Sequence, residues 1–326
     1  VTHHVPTVFG YCHWFDLKEV VAWPKDSFIK NIIGLLEYER CYLNTQHQKD
    51  MVLKQASLTF NDGIIVKLNG ILQVQHLGVD KKDIADDINE NPEKIIVFNH
   101  RPDTYKNFNG FLKVIDTLRE ERQDFKVWIP LWETKDRTRE SFVYTDKGDK
   151  QWYYNELKRC CVGFSPKQKY GGWSVATTDG MMNGVPYIMF DDTYYKELCP
   201  TADFFESDEI AINLLNLFLD DTEYRNEQAT SAKDWISEKL IYKDKMIEMS
   251  SYIDELLVQT KAMGESDTFK KIVEWIREEK VLSKSQIMTQ LGWGRGIKWS
   301  PYRRALMKHP NIFDTFQENP MYCWKD

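Results

Sequence analysis

The sequence predicts an α/β fold built on a doubly wound parallel sheet and followed by a smaller helical module. Two short apolar runs, residues 94–98 and 125–129, have the length and composition of buried strands. The segment between them, residues 107–118, carries apolar side chains at helical spacing. Because strands that alternate with helices of this length form βαβ units, the pattern predicts a parallel sheet.

The same alternation continues on both sides of this unit. Upstream, a buried strand is predicted over residues 5–11 and a helix over residues 25–40. Downstream, strands are predicted at 160–164 and 187–190, and helices at 151–159 and 175–183.

A helix capped by Ser207 is predicted to complete the sheet region. A long polar helix over residues 223–260 and a linker over residues 262–267 follow. The core-facing side chains of the capped helix are predicted to be Ile210, Leu214, Leu217 and Phe218.

The C-terminal residues predict a winged helix-turn-helix-like module. One helix is predicted over residues 269–279, and a second begins after Ser283 as its N-cap, with Ile287 and Leu291 facing inward. In a third, Ser300 is the predicted N-cap and Pro301 the first helical residue. A hairpin is predicted within residues 312–324, and three helices with a hairpin are typical of this motif.

The composition is that of a soluble globular protein, with 42% hydrophobic and 29% charged residues in 326. No apolar run approaches the roughly 18 residues that span a bilayer, and no signal peptide is visible, so a cytoplasmic location is predicted. The six cysteines show neither metal-ligand nor disulfide spacing, which indicates reduced thiols. The net charge of −7 argues against a protein that is basic throughout, but it allows a local basic surface. The chain opens with Val in a predicted strand, so we expect further sequence upstream.

Two cations, Arg101 and Lys106, lie in the turn between the strand at 94–98 and the helix at 107–118. Ligands of open α/β sheets bind at such strand ends, and the following helix start favours an anion. The Arg101 guanidinium can bind two phosphate oxygens, and Lys106 can add a point charge. The alternative is a pair of solvated surface cations.

A Gly-rich turn and helix start at residues 170–186 form a second candidate anion site. Gly172 lets the backbone approach a ligand, and the N–H groups of Ser174, Val175 and Ala176 begin a helix. Asp179, one turn further on, can accept hydrogen bonds from ribose hydroxyls. The alternative is a Gly-capped helix with an exposed acid.

These two elements, in this order, resemble the C-terminal domain of GT-B glycosyltransferases of the glycosyltransferase 4 type. Arg101 and Lys106 match the cations of that family's "GR…EKG" loop, and Ser165 matches the Ser that begins its "S…EGFG…EA…G.P" motif. The stretch from Gly172 through Trp173 and Ser174 to Val175 matches "GFGL". Asp179 matches the second acid, and Gly184 and Pro186 match "G.P".

The resemblance extends upstream and covers roughly residues 1–260. His13 matches the family's His that faces the donor sugar. Asn44-Thr45-Gln46 resembles the family's "NS", and residues 76–80 resemble its "NGVD". Glu197 matches a Glu that often follows the next strand.

The resemblance implies a glycosyltransferase that takes its sugar from a nucleoside-diphosphate sugar, with a UDP-sugar expected. Arg101, Lys106 and the amides at 174–176 would hold the diphosphate, and His13 would contact the sugar or shuttle a proton. No metal or cofactor is expected, and retention of configuration is the family's usual outcome. Two positions depart from the motif, because Gly171 replaces the first acid and Asp179 replaces a Glu.

The resemblance also divides the chain. Residues 1–90 would be the C-terminal part of an acceptor-side Rossmann-like domain whose first strands and Gly-rich loop are missing from this sequence. Residues 91–225 would be the donor-binding Rossmann-like domain. Residues 226–262 would be a returning helix and linker, and residues 263–326 the basic winged-helix-like module.

The stretch 280–313 suggests an acceptor, because it contains seven cations and no acid before Asp314. In an acidic protein such a stretch indicates a phosphate-facing surface, so double-stranded DNA is a candidate partner. T-even bacteriophages carry GT-B enzymes that glycosylate hydroxymethylcytosine, and the Lys-, Asn- and aromatic-rich composition suits a phage protein. The candidate DNA-binding cations are Lys284, Arg295, Lys298, Arg303, Arg304 and Lys308.

Two other functions remain open from the sequence. One is a glycosyltransferase for cell-surface polysaccharide or a lipid-linked glycan, in which case the basic stretch contacts a protein or an acidic membrane surface. The other is a non-catalytic DNA-binding or scaffold protein on a GT-B fold. Binding of a sugar nucleotide separates both enzymes from the scaffold.

Overall fold

The structure, a computed structural model, describes residues 8–13, 25–133, 139–169, 172–291, 299–309, 311–314 and 321–324. The chain divides into two compact units, one spanning Phe9–Lys245 and the other containing the described residues from Met246 onward. No helix among the described residues has the length and apolarity to cross a bilayer.

A three-stranded parallel sheet opens the first unit. Its order is β1-β2-β3, and its core contains Phe28, Ile32, Leu43, Val52 and Leu68. The strands are β1 (Phe9–Cys12), β2 (Arg40–Leu43) and β3 (Leu72–Val74), and the helices are α1 (Lys25–Leu35), α2 (Gln46–Ser57) and α3 (Asp62–Ile71).

The first predicted helix is shorter than expected. It ends at Leu35 rather than at residue 40. A turn in which the Tyr38 amide donates to the Leu35 carbonyl at 2.9 Å redirects the chain into β2. The buried pairing of β2 with both neighbouring strands therefore overrides the helical period that continues through Leu36 and Glu39.

A six-stranded, wholly parallel sheet forms the rest of the first unit, as the alternation of strands and helices predicted. Its order is β6-β5-β4-β7-β8-β9. This is the order of a doubly wound sheet, in which the strand order reverses between the parallel neighbours β4 and β7. The strands are β4 (Glu93–Val97), β5 (Lys126–Trp128), β6 (Val143–Tyr144), β7 (Cys160–Ser165), β8 (Tyr187–Phe190) and β9 (Asp203–Phe205).

Helices cover both faces of this sheet. On one face, Phe111 and Ile115 pack with Leu215 and Phe218. On the other, Met181 and Tyr194 pack with Ile236. The helices are α4 (Phe108–Glu121), α5 (Lys150–Leu157), α6 (Val175–Met182), α7 (Thr193–Leu198), α8 (Asp208–Asp220) and α9 (Thr222–Lys239).

The predicted inner face of α8 is largely wrong. Ser207 caps the helix as expected, and Phe218 is buried, but Ile210 and Leu217 are 41% and 37% exposed and Leu214 is only partly buried. The segment is apolar nearly all round, so periodicity alone does not choose the buried face. The residues that face the core are Ala211, Ile212, Leu215, Phe218 and Leu219.

The single helix predicted over residues 223–260 is also wrong, because α9 ends at Lys239 and α10 spans Tyr242–Glu265. Val79 interrupts the helix by pairing in parallel with Ile241. Its amide donates to the Leu240 carbonyl at 2.7 Å, and its carbonyl accepts from the Tyr242 amide at 2.8 Å. The predicted linker at 262–267 is likewise mostly helix, since α10 reaches Glu265.

The C-terminal unit contains a three-stranded antiparallel sheet with the order β10-β12-β11. Its core includes Phe269, Ile276, Leu306 and Tyr322. The elements are α11 (Asp267–Glu279), β10 (Val281–Ser283), α12 (Lys284–Gln290), α13 (Ser300–Lys308), β11 (Ile312–Asp314) and β12 (Met321–Trp324).

The helix starts of this unit follow the sequence closely. Ser283 and Gln286 form a reciprocal capping box at α12. Ile287 is buried and Leu291 packs at the edge of the core. At α13 the cap residue is Trp299 rather than Ser300, and Pro301 lies in the first turn. The predicted hairpin turn near residue 319 lies outside the described residues.

Candidate nucleotide-binding site

The candidate site lies at the carboxyl ends of β4 and β7, the two neighbouring strands between which the strand order reverses. Crevices at this position bind ligands in open α/β sheets. The turn after β4 contains Arg101 and Lys106, and the loop after β7 leads to α6. The two segments are joined directly, because the Lys169 amide donates to the Tyr105 carbonyl at 2.9 Å.

Lys106 presents a largely buried ammonium at this edge. Its Nζ donates to Oε1 of Gln168 at 2.5 Å. Burial, with a smaller contribution from nearby Arg101, lowers the pKa of Lys106 to about 8, although Asp103 opposes the shift. Within the described part of the chain no carboxylate lies within ion-pair distance of this ammonium. The ammonium also lies 5.1 Å from the centroid of the Tyr105 ring. A largely buried cation held by a neutral amide and an aromatic ring can accept an anion as its counter-charge.

Arg101 is held differently from Lys106. Its side chain is 69% exposed, and its Nε lies 3.9 Å from the Asp103 carboxylate. The guanidinium lies over the Tyr105 ring, 5.6 Å from the ring centroid. Arg101 is therefore a solvent-facing charge next to the largely buried one.

The start of α6 provides free backbone donors. Ser174 is the N-cap, and its Oγ accepts from the Thr177 amide at 3.3 Å. The amides of Val175 and Ala176 belong to the first turn, where N–H groups have no intrahelical acceptor. A Cβ built on Gly172 would meet nothing within 4 Å, so the space beside this turn is open. Tyr170 and Gly171 lie outside the described residues.

Asp179 lies in the second turn of α6 and is partly buried rather than exposed. Burial raises the pKa of its carboxyl to about 6, against smaller opposing effects of Lys150 and Tyr153. The Tyr153 hydroxyl donates to Oδ2 at 3.5 Å, which is a long hydrogen bond. The carboxylate thus keeps acceptor capacity for a hydroxyl group.

Several polar residues that support the site were missed from the sequence. Asn99 follows β4 and donates through Nδ2 to the Ala176 carbonyl at 2.6 Å and to the Tyr153 hydroxyl at 2.9 Å. The Tyr187 hydroxyl donates to Asn99 Oδ1 at 3.0 Å. His100 is buried and lies 3.2 Å from the Ser165 hydroxyl. The available signal was the polar pair Asn99-His100 directly after a buried strand, where side chains converge at the sheet edge.

The N-terminal sheet contributes polar groups near its own strand ends. His13 follows β1, is exposed, and lies 3.1 Å through Nδ1 from Asn44 Oδ1 after β2. Its hydrogen-bond partner is therefore Asn44, and the structure shows no contact between His13 and Lys106 or Ser174.

Glu197 connects the two sheets of the first unit. Its carboxylate accepts from the amides of Gln46 at 2.6 Å and His47 at 2.9 Å, at the start of α2. His76 Nε2 lies 3.4 Å away, and the His76 ring stacks on Trp173 at 5.1 Å. Burial alone raises the pKa of Glu197, but these hydrogen bonds outweigh it and lower the pKa. Trp173 is thus fixed against the N-terminal sheet.

Four of the six candidate DNA-binding cations lie on two described helices of the C-terminal unit. Lys284 begins α12 and is partly exposed, whereas Lys308 is exposed at the end of α13. Arg303 and Arg304 are partly buried on α13. Arg295 and Lys298 lie outside the described residues. Among the residues that the structure describes, no group of three His, Cys, Asp or Glu could hold a metal ion.

No protein-family model and no curated protein sequence matches this chain. Solved structures do match. TarM aligns with a TM-score of 0.61 at 14% identity, over 76% of this chain and 50% of its own. Sucrose-phosphate synthase from Thermosynechococcus elongatus aligns with a TM-score of 0.61 at 10% identity, over 77% of this chain and 68% of its own. HepE from Anabaena, in complex with UDP and glucose, aligns with a TM-score of 0.59 at 11% identity, over 76% of this chain and 71% of its own.

These similarities show that the chain has the fold of GT-B glycosyltransferases, with parallel α/β sheets as in the matched structures. Such low identities define the fold alone. The chain covers 50% of the length of the TarM chain that it matches.

Proposed function

We propose that this chain is the donor-binding part of a glycosyltransferase that uses a nucleoside-diphosphate sugar. The observation that carries the proposal is the buried Lys106 ammonium, whose hydrogen-bond partner is the neutral amide of Gln168. A diphosphate supplies the counter-charge that this cation lacks. The GT-B fold, with the site at the reversal of strand order, supports the same assignment.

The diphosphate would be held by Arg101, Lys106 and the amides at the start of α6. Lys106 and the helix start are fixed, whereas Arg101 can close over the ligand from solvent. These groups would stabilise the negative charge that develops as the nucleoside diphosphate leaves. Because backbone N–H groups and two cations provide that charge stabilisation, the proposed reaction proceeds without a metal.

The nucleoside would extend toward Asp179, which would accept from ribose hydroxyls. Gly172 and Trp173 would form the wall beside the diphosphate, with Trp173 braced by His76. UDP is the proposed nucleotide, and the HepE structure that contains UDP and glucose supports it. His13 would contact the sugar or transfer a proton, with Asn44 orienting its ring.

Binding of UDP to the full chain tests this proposal. We expect Lys106→Met to weaken UDP binding by about tenfold to a hundredfold, since hydrogen bonds to charged groups contribute about 1.5–3 kcal/mol. Lys113→Met is the matched control, because Lys113 is an exposed lysine paired with Asp208 at 2.7 Å. Isothermal titration calorimetry with and without EDTA gives both affinities. Wild-type protein that does not bind UDP, or equal losses in the two variants, would contradict the proposal.

The acceptor that we propose is hydroxymethylated DNA of a phage, docked by a winged-helix module. The element order α11-β10-α12-α13 followed by the β11-β12 pair supports a winged helix, with α13 as the groove-facing helix. Trp299 Nε1 donates to the Tyr322 hydroxyl at 3.1 Å, which anchors α13 to the sheet. The phosphates would be contacted by Lys284, Arg295, Lys298, Arg303, Arg304 and Lys308. The reaction would take place in the host cytoplasm.

Transfer assays distinguish the acceptors. The full chain would be incubated with labelled sugar nucleotides and with DNA containing either cytosine or hydroxymethylcytosine, and then digested for mass analysis of nucleosides. We expect a sugar on hydroxymethylcytosine only. Sugar-nucleotide hydrolysis without transfer would move the acceptor to a glycan or lipid. If neither reaction occurs and the chain binds no nucleotide, the result would favour a scaffold protein.

A further inference from the structure

A chain of hydrogen bonds connects the end of β4 to the start of α6. His100 Nε2 lies 3.2 Å from Ser165 Oγ, which lies 2.8 Å from Thr177 Oγ1. Thr177 Oγ1 lies 2.7 Å from Ser174 Oγ. All four residues are buried, and the chain ends at the N-cap of the proposed phosphate-binding helix.

The direction of this chain determines what Ser174 can donate. Ser174 Oγ already accepts from the Thr177 amide. If the Thr177 hydroxyl also donates to it, both lone pairs of Ser174 are occupied, and its own proton points away from the chain. If Ser174 instead donates to Thr177, no hydroxyl proton remains for a ligand.

His100 selects between the two directions. Burial, with a smaller effect of Lys106, lowers the pKa of His100 to about 3, so the ring is neutral at neutral pH and carries one N–H. With the proton on Nε2, His100 donates to Ser165, which leaves the Ser165 proton free to donate to Thr177 and the Thr177 proton free to donate to Ser174. With the proton on Nδ1, Nε2 accepts from Ser165, so the Ser165 proton is no longer available to Thr177.

The neighbouring Tyr195 hydroxyl also interacts with Ser165, but its own proton is directed to another acceptor. It donates to the Pro166 carbonyl at 3.1 Å and accepts from Gln168 Nε2 at 2.6 Å. Gln168 also accepts from Lys106, so this second network fixes the ammonium while the first one serves the helix start.

We propose that His100 is a positioning residue of the anion site, which as its Nε2–H tautomer orients the Ser165 and Thr177 hydroxyls so that Ser174 donates its proton to a diphosphate oxygen. This inference rests on the donor site proposed above. It assigns Ser174 a side-chain contact in addition to the backbone amides. It also gives a function to the buried His100, which stands where the "GR…EKG" loop has Gly.

Affinity for UDP in variants of the chain tests the proposal. We expect His100→Leu and Thr177→Val each to weaken UDP binding by about tenfold, because each leaves the Ser174 proton undirected. His100→Gln places an amide donor near the Nε2 position and is expected to stay within about threefold of wild type. Thr178→Val is the matched control on the same helix, since its buried hydroxyl donates to the backbone carbonyls of Val175 at 2.8 Å and Ser174 at 3.3 Å and not to the chain of side-chain hydroxyls.

A merely structural role predicts a different pattern. Loss of packing would lower the melting temperature of His100→Leu without a selective loss of UDP affinity, and His100→Gln would not restore binding. If wild-type protein binds UDP and both His100→Leu and Thr177→Val bind it equally well, the inference is wrong while the donor site stands. If wild-type protein does not bind UDP, the proposed function fails, and this inference fails with it.

The tautomer of the His100 ring can be measured in the absence of a ligand. In the wild-type chain, ¹⁵N chemical shifts of the His100 ring distinguish a protonated Nε2 from a protonated Nδ1, and His100→Gln assigns the signal. We expect the proton on Nε2. A proton on Nδ1 would overturn the inference, whatever the chain binds, and this readout also decides the matter if His100→Leu does not fold.

Discussion

Lys106 of the first unit and Lys308 of the C-terminal unit are both proposed to bind phosphate, but they are held in opposite ways. The Lys106 ammonium is largely buried against a neutral amide, and burial lowers its pKa to about 8. Lys308, by contrast, is exposed at the end of α13. A solvated lysine carries no desolvation penalty, so its presence gives little information about a ligand. A buried ammonium without a counter-charge costs free energy, so its presence indicates an anionic ligand much more strongly.

The largest effect is expected when Lys106 is given an internal counter-charge. In Gln168→Glu a carboxylate replaces the amide that accepts from Lys106. We expect UDP binding to fall on the order of a hundredfold, because ligand and carboxylate compete and like charges repel. The melting temperature of the free protein is expected to rise. If calorimetry shows unchanged UDP affinity, the largely buried Lys106 would indicate an anionic ligand no more strongly than the exposed Lys308 does.

Removing the proposed ribose contact should have a smaller effect. Asp179→Asn is expected to weaken UDP binding about tenfold at pH 7.5, since an ionised acceptor is exchanged for a neutral one. The pKa of Asp179 is raised to about 6, so at pH 5 the wild-type carboxyl is mostly protonated, and the difference from the variant should shrink. A difference that is independent of pH would exclude the carboxylate as the acceptor.

The pH dependence caused by Lys106 should be smaller again. It should change UDP affinity and the stability of the free protein in opposite directions. Its folded pKa lies below the usual value for lysine, so the ammonium loses its proton as pH rises through about 8. UDP affinity should then decrease several-fold between about pH 7 and 9. The free protein should become more stable over the same range, because the unfolded chain binds more protons. Calorimetric titrations and thermal melts across this range measure both, with Lys106→Met as the control that lacks either trend.

The smallest effect concerns the cations of α13. Arg303→Ala combined with Lys308→Ala should weaken DNA binding several-fold at moderate salt and reduce the salt slope of log Kd by about 1.8, since each phosphate contact contributes about 0.9. UDP affinity should not change. Fluorescence anisotropy at several salt concentrations measures the slope. A slope equal to that of wild type would show that α13 does not face phosphate.

The sequence predicted four of the six strands of the larger sheet, β4, β5, β7 and β8, to within one residue, because each is a short apolar run. It did not predict the edge strands β6 and β9, which are only two and three residues long. It also predicted the caps of α8 and α12, where Ser207 and Ser283 leave a local signature. It did not predict the buried face of α8, since that segment is apolar on most sides. The break between α9 and α10 was missed because Val79, which makes it, is far away in the chain.

The residues of the candidate site also separate into those that the sequence predicted and those that it did not. Arg101, Lys106, Ser174 and Asp179 were identified because each lies in a turn or helix start whose chemistry is local. The roles of Gln168 and His100 depend on contacts between β4, β7 and α6, which only the folded sheet brings together. By itself the sequence determined the alternation that forms a parallel sheet and the cations at one strand end. The tertiary structure decided which cation is buried, because burial depends on what packs around a residue and not on the residue itself.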